Sequence, residues 1–177
     1  MTSKPEGVIR DRLAVKLHQL LDKKTFTVAR EWGKKRGRPI DLAILKGNRP
    51  EVLIQLKARS AIALQGPKKL LERAEDDLKK CTKHKGKKCF YLQVAPMIET
   101  PWDSTKEEVV KYAKQWKPAL QRTDGASKIE QEVNAKIQKA FIKNGWRVDG
   151  SNNGKRILGG EVLSAKVSVL YWLCERR

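Results

Sequence analysis

The segment from Ile40 to Arg59 constrains the fold more than any other part of the chain. Two runs of β-forming residues, Ile40 to Leu45 and Glu51 to Arg59, are separated by Lys46-Gly47-Asn48-Arg49-Pro50, whose Gly and Asn supply the backbone freedom of a tight turn. Strands joined by so short a connection pair antiparallel. With the turn centred on Asn48, residues whose numbers sum to about 96 face each other, so Asp41 lies opposite Gln55. Alternation along the second strand puts Glu51, Leu53, Gln55 and Lys57 on one face and Val52, Ile54 and Leu56 on the other. Asp41, Gln55 and Lys57 are therefore expected together at the open end of the hairpin. Facing residues lie about 5 Å apart, near enough to share one metal ion.

The flanking sequence alternates helices with strands. Ile9, Leu13, Leu17, Leu20 and Leu21 recur at helical steps between Glu6 and Asp22, with Pro5 suited to the helix start. Phe26 to Trp32 alternates as a strand and leads into a basic loop, Gly33 to Pro39. A second helix is expected over roughly Lys68 to Lys83, then an interior strand from Cys89 to Ala95 ended by Pro96. Ser104 and Glu107 form a capping box for a third helix that stops before Pro118. After a hydrophilic linker, Gln121 to Ser127, come a helix through Ile129 to Ile142, a strand at Trp146 to Val148, a basic loop at Gly150 to Arg156, and a strand around Val162 to Trp172. This order argues an α/β (α+β) layer fold, with residues 1–120 as the core and residues 121–177 as a helix-strand-strand extension on or beside it.

Charge narrows the choice of partner. The chain of 177 residues carries 39 Lys and Arg against 20 Asp and Glu, a formal net charge of +19, which folding alone does not require. A polyanion is the simplest partner, and nucleic acid outranks a membrane because no apolar run approaches the roughly 20 residues of a spanning helix. Lys34, Lys35, Arg36, Arg38, Arg59, Lys85, Lys87 and Lys88 are the candidate phosphate contacts. The polar N-terminus reads as cytosolic, and Cys81, Cys89 and Cys174 as thiols. Cys81, His84 and Cys89 lack the paired spacing of a zinc site, Gly33 and Gly37 lack the Lys-Ser/Thr of a phosphate loop, and no Ser-His or Cys-His nucleophile pair is evident.

The hairpin cluster suits phosphodiester hydrolysis. Magnesium takes oxygen ligands, typically one or two carboxylates with water and substrate phosphate, so Asp41 is the anchoring ligand and Lys57 the residue that handles the attacking water. The run Pro39-Ile40-Asp41, the strand Leu42 to Leu45, the run Val52-Leu53-Ile54-Gln55-Leu56-Lys57 and the leading helix with Glu6 together resemble the PD-(D/E)xK nuclease superfamily, which includes many restriction endonucleases and Holliday junction resolvases. The resemblance covers about the first hundred residues. It implies a central mixed sheet flanked by helices, a magnesium- or manganese-dependent site built from Asp41, Gln55 and Lys57 with Glu6 as a further metal contact, and DNA rather than RNA as substrate. It also implies a homodimer where both strands are cut, and nucleoid association in a bacterial or archaeal cell. The departure is Gln55, a neutral amide where the family carries an acid. The alternative is a nucleic-acid-binding protein on the same fold without efficient hydrolysis, and a more distant one is an RNA-associated basic structural protein.

Overall fold

A computed structural model describes residues 5–33, 39–64, 87–100, 113–121, 124–143, 145–148, 155–162 and 165–176. The expected helix at 68–83, the capping box at Ser104 and Glu107, and most of the two basic loops lie outside the described residues. The helices are α1 (Pro5–Leu20), α2 (Ala61–Leu64), α3 (Ala113–Leu120) and α4 (Gly125–Lys143). The strands are β1 (Phe26–Trp32), β2 (Ile40–Lys46), β3 (Arg49–Ala58), β4 (Lys88–Ile98), β5 (Trp146–Val148), β6 (Lys155–Val162) and β7 (Ala165–Arg176). They form one mixed sheet in the order β1-β2-β3-β4-β7-β5, with β6 also paired to β7. Only β3 and β4 run parallel among the described pairs. The fold is thus the expected α+β arrangement, a mixed sheet flanked by helices.

Two rows of side chains explain the layering. Leu42, Ile54 and Phe90 are register neighbours on adjacent strands, and they pack with Leu13, Ala14 and Leu17 of α1 on one face. One residue along, Ala43, Leu53 and Cys89 form the neighbouring row on the opposite face. That face joins Tyr91 and Trp172 of the sheet to Ile129, Val133, Ile137 and Phe141 of α4 and to Trp116 and Leu120 of α3. Each fully buried Leu or Ile there stabilises the fold by roughly 1.5–3 kcal/mol relative to exposure. Tyr91 and Phe141 pack with tilted rings whose centroids are 5.2 Å apart, Phe141 meets Trp146 edge-on at 6.3 Å, and the buried Trp172 indole donates to Asn134 Oδ1 at 2.9 Å. Residues after 121 therefore contribute strands to the same sheet and a helix to the same core.

Several element boundaries differ from the sequence reading. β4 does not end at Pro96 but continues to Ile98, because its pairing with β7 runs on from Phe90↔Glu175 to Ile98↔Val167. The Arg59 amide donates to the Val94 carbonyl at 3.0 Å, so Pro96, two residues on, turns its nitrogen toward the β3 side, where no further rung forms. α3 runs through Pro118 to Leu120; the missing amide bond is offset by burial of Trp116 and Leu120 on either side. The last stretch is two antiparallel strands, β6 and β7, rather than one. α4 begins at Gly125, inside the expected linker.

Gly125 marks the tightest approach. A Cβ there would overlap the Ala119 carbonyl oxygen and crowd the Leu120 Cα at 3.2 Å, so only glycine lets α4 start against the end of α3. Gly125→Ala is expected to lower stability by about 1–3 kcal/mol in urea unfolding, since the obstacle is backbone and cannot rotate away. Burial also pushes the Cys174 thiol up to about 12. Native protein at pH 8 should leave Cys174 unalkylated by iodoacetamide, with full labelling after denaturation, as read by peptide mass spectrometry.

Candidate active site

The expected β2–β3 register, with facing numbers that sum to 96, holds from Ile44 outward, but the turn alone does not set it. Gly47, with φ of 57°, and Asn48 form a two-residue loop between the paired Lys46 and Arg49. A positive φ at the first loop position is what a type II′ hairpin turn demands and glycine readily adopts. The turn pairs Lys46 with Arg49 and Leu45 with Pro50, whose numbers sum to 95, and the register shift between Ile44 and Leu45 moves the rest of the ladder by one residue to the expected 96. Beyond it, Leu42 faces Ile54 and Ala43 faces Leu53, so the next step outward sets Asp41 against Gln55.

The side chains meet there. Asp41 Oδ2 accepts from Gln55 Nε2 and from the Leu56 backbone amide, the latter at 2.8 Å. The carboxylate thus replaces a strand carbonyl as the acceptor for Leu56. Gln55 is 2% exposed, and its Oε1 is buried without a hydrogen-bond partner among the described residues. A buried carbonyl oxygen with no donor costs about 1–3 kcal/mol, so it marks either a strain or a ligand position. Lys57 Nζ donates to Glu6 Oε1 at 3.3 Å, both side chains being partly exposed. The four residues singled out in the sequence therefore fall into two linked pairs, Asp41 with Gln55 and Lys57 with Glu6.

Helix α1 also carries a charge network that the sequence reading missed. Arg10, one turn after Glu6, donates to Glu31 Oε1 at 2.9 Å and to Asp11 Oδ1 at 3.1 Å, and Arg30 reaches Asp11 at 3.2 Å. The hydrogen bond from Arg10, helped by Arg30, holds the Asp11 carboxyl below its ordinary range. Glu31 has φ of 50°, left-handed for a residue with a side chain, between the rungs Arg30↔Leu42 and Trp32↔Ile40. Such a conformation costs on the order of 1–3 kcal/mol and persists only where surrounding contacts impose it. The edge strand beside Asp41 is thus bent and tied to α1. Only the acid-base-acid spacing Glu6, Arg10 and Asp11 hinted at this.

The basic residues separate into two groups. Arg59 follows Lys57 at the same end of β3. Lys88 pairs with Val52, five residues from the rung of Lys57 and Gln93, which is about 16 Å along the strand. Lys87 is bound to Glu51 at 3.8 Å. Lys87 and Lys88 therefore sit at the opposite end of the sheet from Asp41. Lys34, Lys35, Arg36, Arg38 and Lys85 lie outside the described residues.

The donor set at this end consists of Asp41, the Gln55 carbonyl and Glu6, all oxygens, which suits a hard cation such as magnesium rather than zinc. Among the described residues, no group of three or more His, Cys, Asp or Glu gathers as a metal site. Comparison with protein-family models, curated proteins and solved structures gives no match. No described helix is long and apolar enough to cross a membrane.

Replacing the amide by an acid tests the pairing. Gln55→Glu places two carboxylates in contact, so one of them titrates above its ordinary range and the folded state binds more protons than the unfolded one. Stability of this variant should rise as pH falls from 7 to 5, whereas wild type should not gain. Magnesium at pH 7 should restore it, and thermal melts across pH with and without the metal read both effects.

Proposed function

We propose that the chain is a magnesium-dependent endonuclease of the PD-(D/E)xK type that hydrolyses DNA phosphodiester bonds. The observation that carries this reading is the contact of Asp41 with Gln55 and with the Leu56 amide at one end of the β2–β3 ladder, where the next residue, Lys57, is bound by Glu6 of α1. Asp41 and the buried Gln55 Oε1 would hold the metal, with Glu6 as a further oxygen donor. A bound magnesium would lower the pKa of an attacking water and neutralise charge gathering on the phosphate.

The chain's own residues do the remainder. Asp41 fixes the end of β3 through the Leu56 amide, so the backbone before Lys57 is anchored. Lys57 presents an ammonium whose partner, Glu6, is also partly exposed, so the amine lies within reach of solvent and can orient water or pass a proton to a leaving oxygen. Arg59 lies two residues on and supplies positive charge for a neighbouring phosphate. The excess of basic residues draws the polyanion in with a strong salt dependence, and two copies would cut both strands of a duplex.

One observation favours a second reading, a nucleic-acid-binding protein on this fold without hydrolysis. The Gln55 amide already satisfies Asp41 with an N–H, so the carboxylate is partnered without a metal. Incubation with supercoiled, linear and branched DNA in magnesium or manganese separates the two. The nuclease reading expects cleavage, with Asp41→Ala and Lys57→Ala each losing about a hundredfold or more while DNA binding persists. Binding with no cleavage by wild type in either metal leaves the binding protein.

A further inference from the structure

Gln93 stands in the middle of β4 with no exposure at all, among Tyr91, Val94 and Ala95, which are themselves buried. Burying an amide without partners costs about 1–3 kcal/mol by mutational measures, so its bonds reveal what it is for. Its Nε2 donates to the Lys57 carbonyl at 3.2 Å and to the Val94 carbonyl at 3.0 Å, and its Oε1 accepts from the Tyr91 hydroxyl at 3.4 Å. Both ends of the amide are used.

The place matters more than the count. Lys57 and Gln93 share a rung of the parallel ladder, and the ladder ends one rung later, at Ala58↔Val94. Pro96 has no N–H to carry it further. The Arg59 amide on the Val94 carbonyl closes the ladder, and Gln93 adds a side-chain bridge there between the Lys57 and Val94 carbonyls. From the other side, Asp41 Oδ2 holds the Leu56 amide. The backbone around Lys57 is thus gripped from β2 by a carboxylate and from β4 by an amide.

We infer that Gln93, oriented by the Tyr91 hydroxyl, is a positioning residue that fixes the backbone from which the Lys57 amine reaches the reacting phosphate. This rests on the nuclease reading of the site. A metal on Asp41 would compete with Leu56 for the same carboxylate, and the Gln93 bridge would then reinforce the β3–β4 ladder as the hold on the Lys57 backbone.

Gln93→Met keeps length and bulk and removes the bonds. The expected result is a fall in kcat of about tenfold or more with KM for DNA within about twofold, since a misplaced group hurts the reaction rather than substrate capture. Acetylation of Lys57 by acetic anhydride, normalised to other lysines by mass spectrometry, should change in rate at the same time, and this readout needs no nuclease activity. Tyr91→Phe, a milder change that serves if Gln93→Met does not fold, should shift both quantities the same way by about threefold. A folded variant that melts lower yet keeps wild-type kcat and Lys57 acetylation overturns the inference and makes Gln93 a packing residue only. Wild type that cleaves no DNA sinks the nuclease reading alone, and Lys57 acetylation still decides the role of Gln93.

Discussion

Strand β3 is hydrogen-bonded on both sides, antiparallel to β2 and parallel to β4, and residues 53 to 56 are buried on both faces. A strand so placed cannot slip. A shift of one residue against β2 would move Leu53 and Gln55 into the layer under α1 and put Ile54 against α4, exchanging two well-packed faces at once. The same fixed register brings Asp41 to Gln55 and Leu56 at one end of the sheet. The geometry of the candidate site is therefore a by-product of core packing, and any change that loosened the core on either face would be felt there.

Much of this was legible in residues 40 to 59. The turn residues placed the hairpin and the alternation of the strand set which side chains share a face, but the two-residue turn by itself would leave the ladder one residue short, and the shift between Ile44 and Leu45 that brings it to the expected register left no mark in the sequence. The fold class was legible as a sum of periodicities. What the sequence did not disclose were features that depend on neighbours distant in the chain. Pro96 reads as a strand end because a proline lacks an N–H, yet β7 pairs through it, since the missing donor turns toward the side where β3 has stopped. Pro118 reads as a helix stop, yet Trp116 and Leu120 are buried around it. Lys87 and Lys88 look contiguous with the other basic loop in a list of charges, but a parallel pairing sends them to the far end of the sheet. The bonds of Gln93 left only one trace, a glutamine in an otherwise apolar strand.

Electrostatics adds a layer that composition alone hides. A net charge of +19 suggests a uniformly basic surface, but several of the described cations are already engaged. Arg10 is shared between Asp11 and Glu31, Lys57 is with Glu6, Lys87 with Glu51, Arg147 with Glu175, and Lys166 with Glu99. Most of these pairs are exposed enough that each adds little to stability, and salt weakens them further. Their larger effect is to hold long side chains in fixed places, above all along α1, where Glu6 and Arg10 engage Lys57 and Glu31.

The position of β7 bears on how the molecule is made. β4 is an interior strand only because β7 covers its second side, and the partners in that ladder are separated by 69 residues at Ile98↔Val167, rising to 85 at Phe90↔Glu175. Until β7 has been made, β4 has one open edge of apolar sequence, a template for any other extended segment nearby. Closure waits for β7. The residues of β7 are thus those that turn a sticky half-sheet into a covered one, and long-range contacts set the pace of folding.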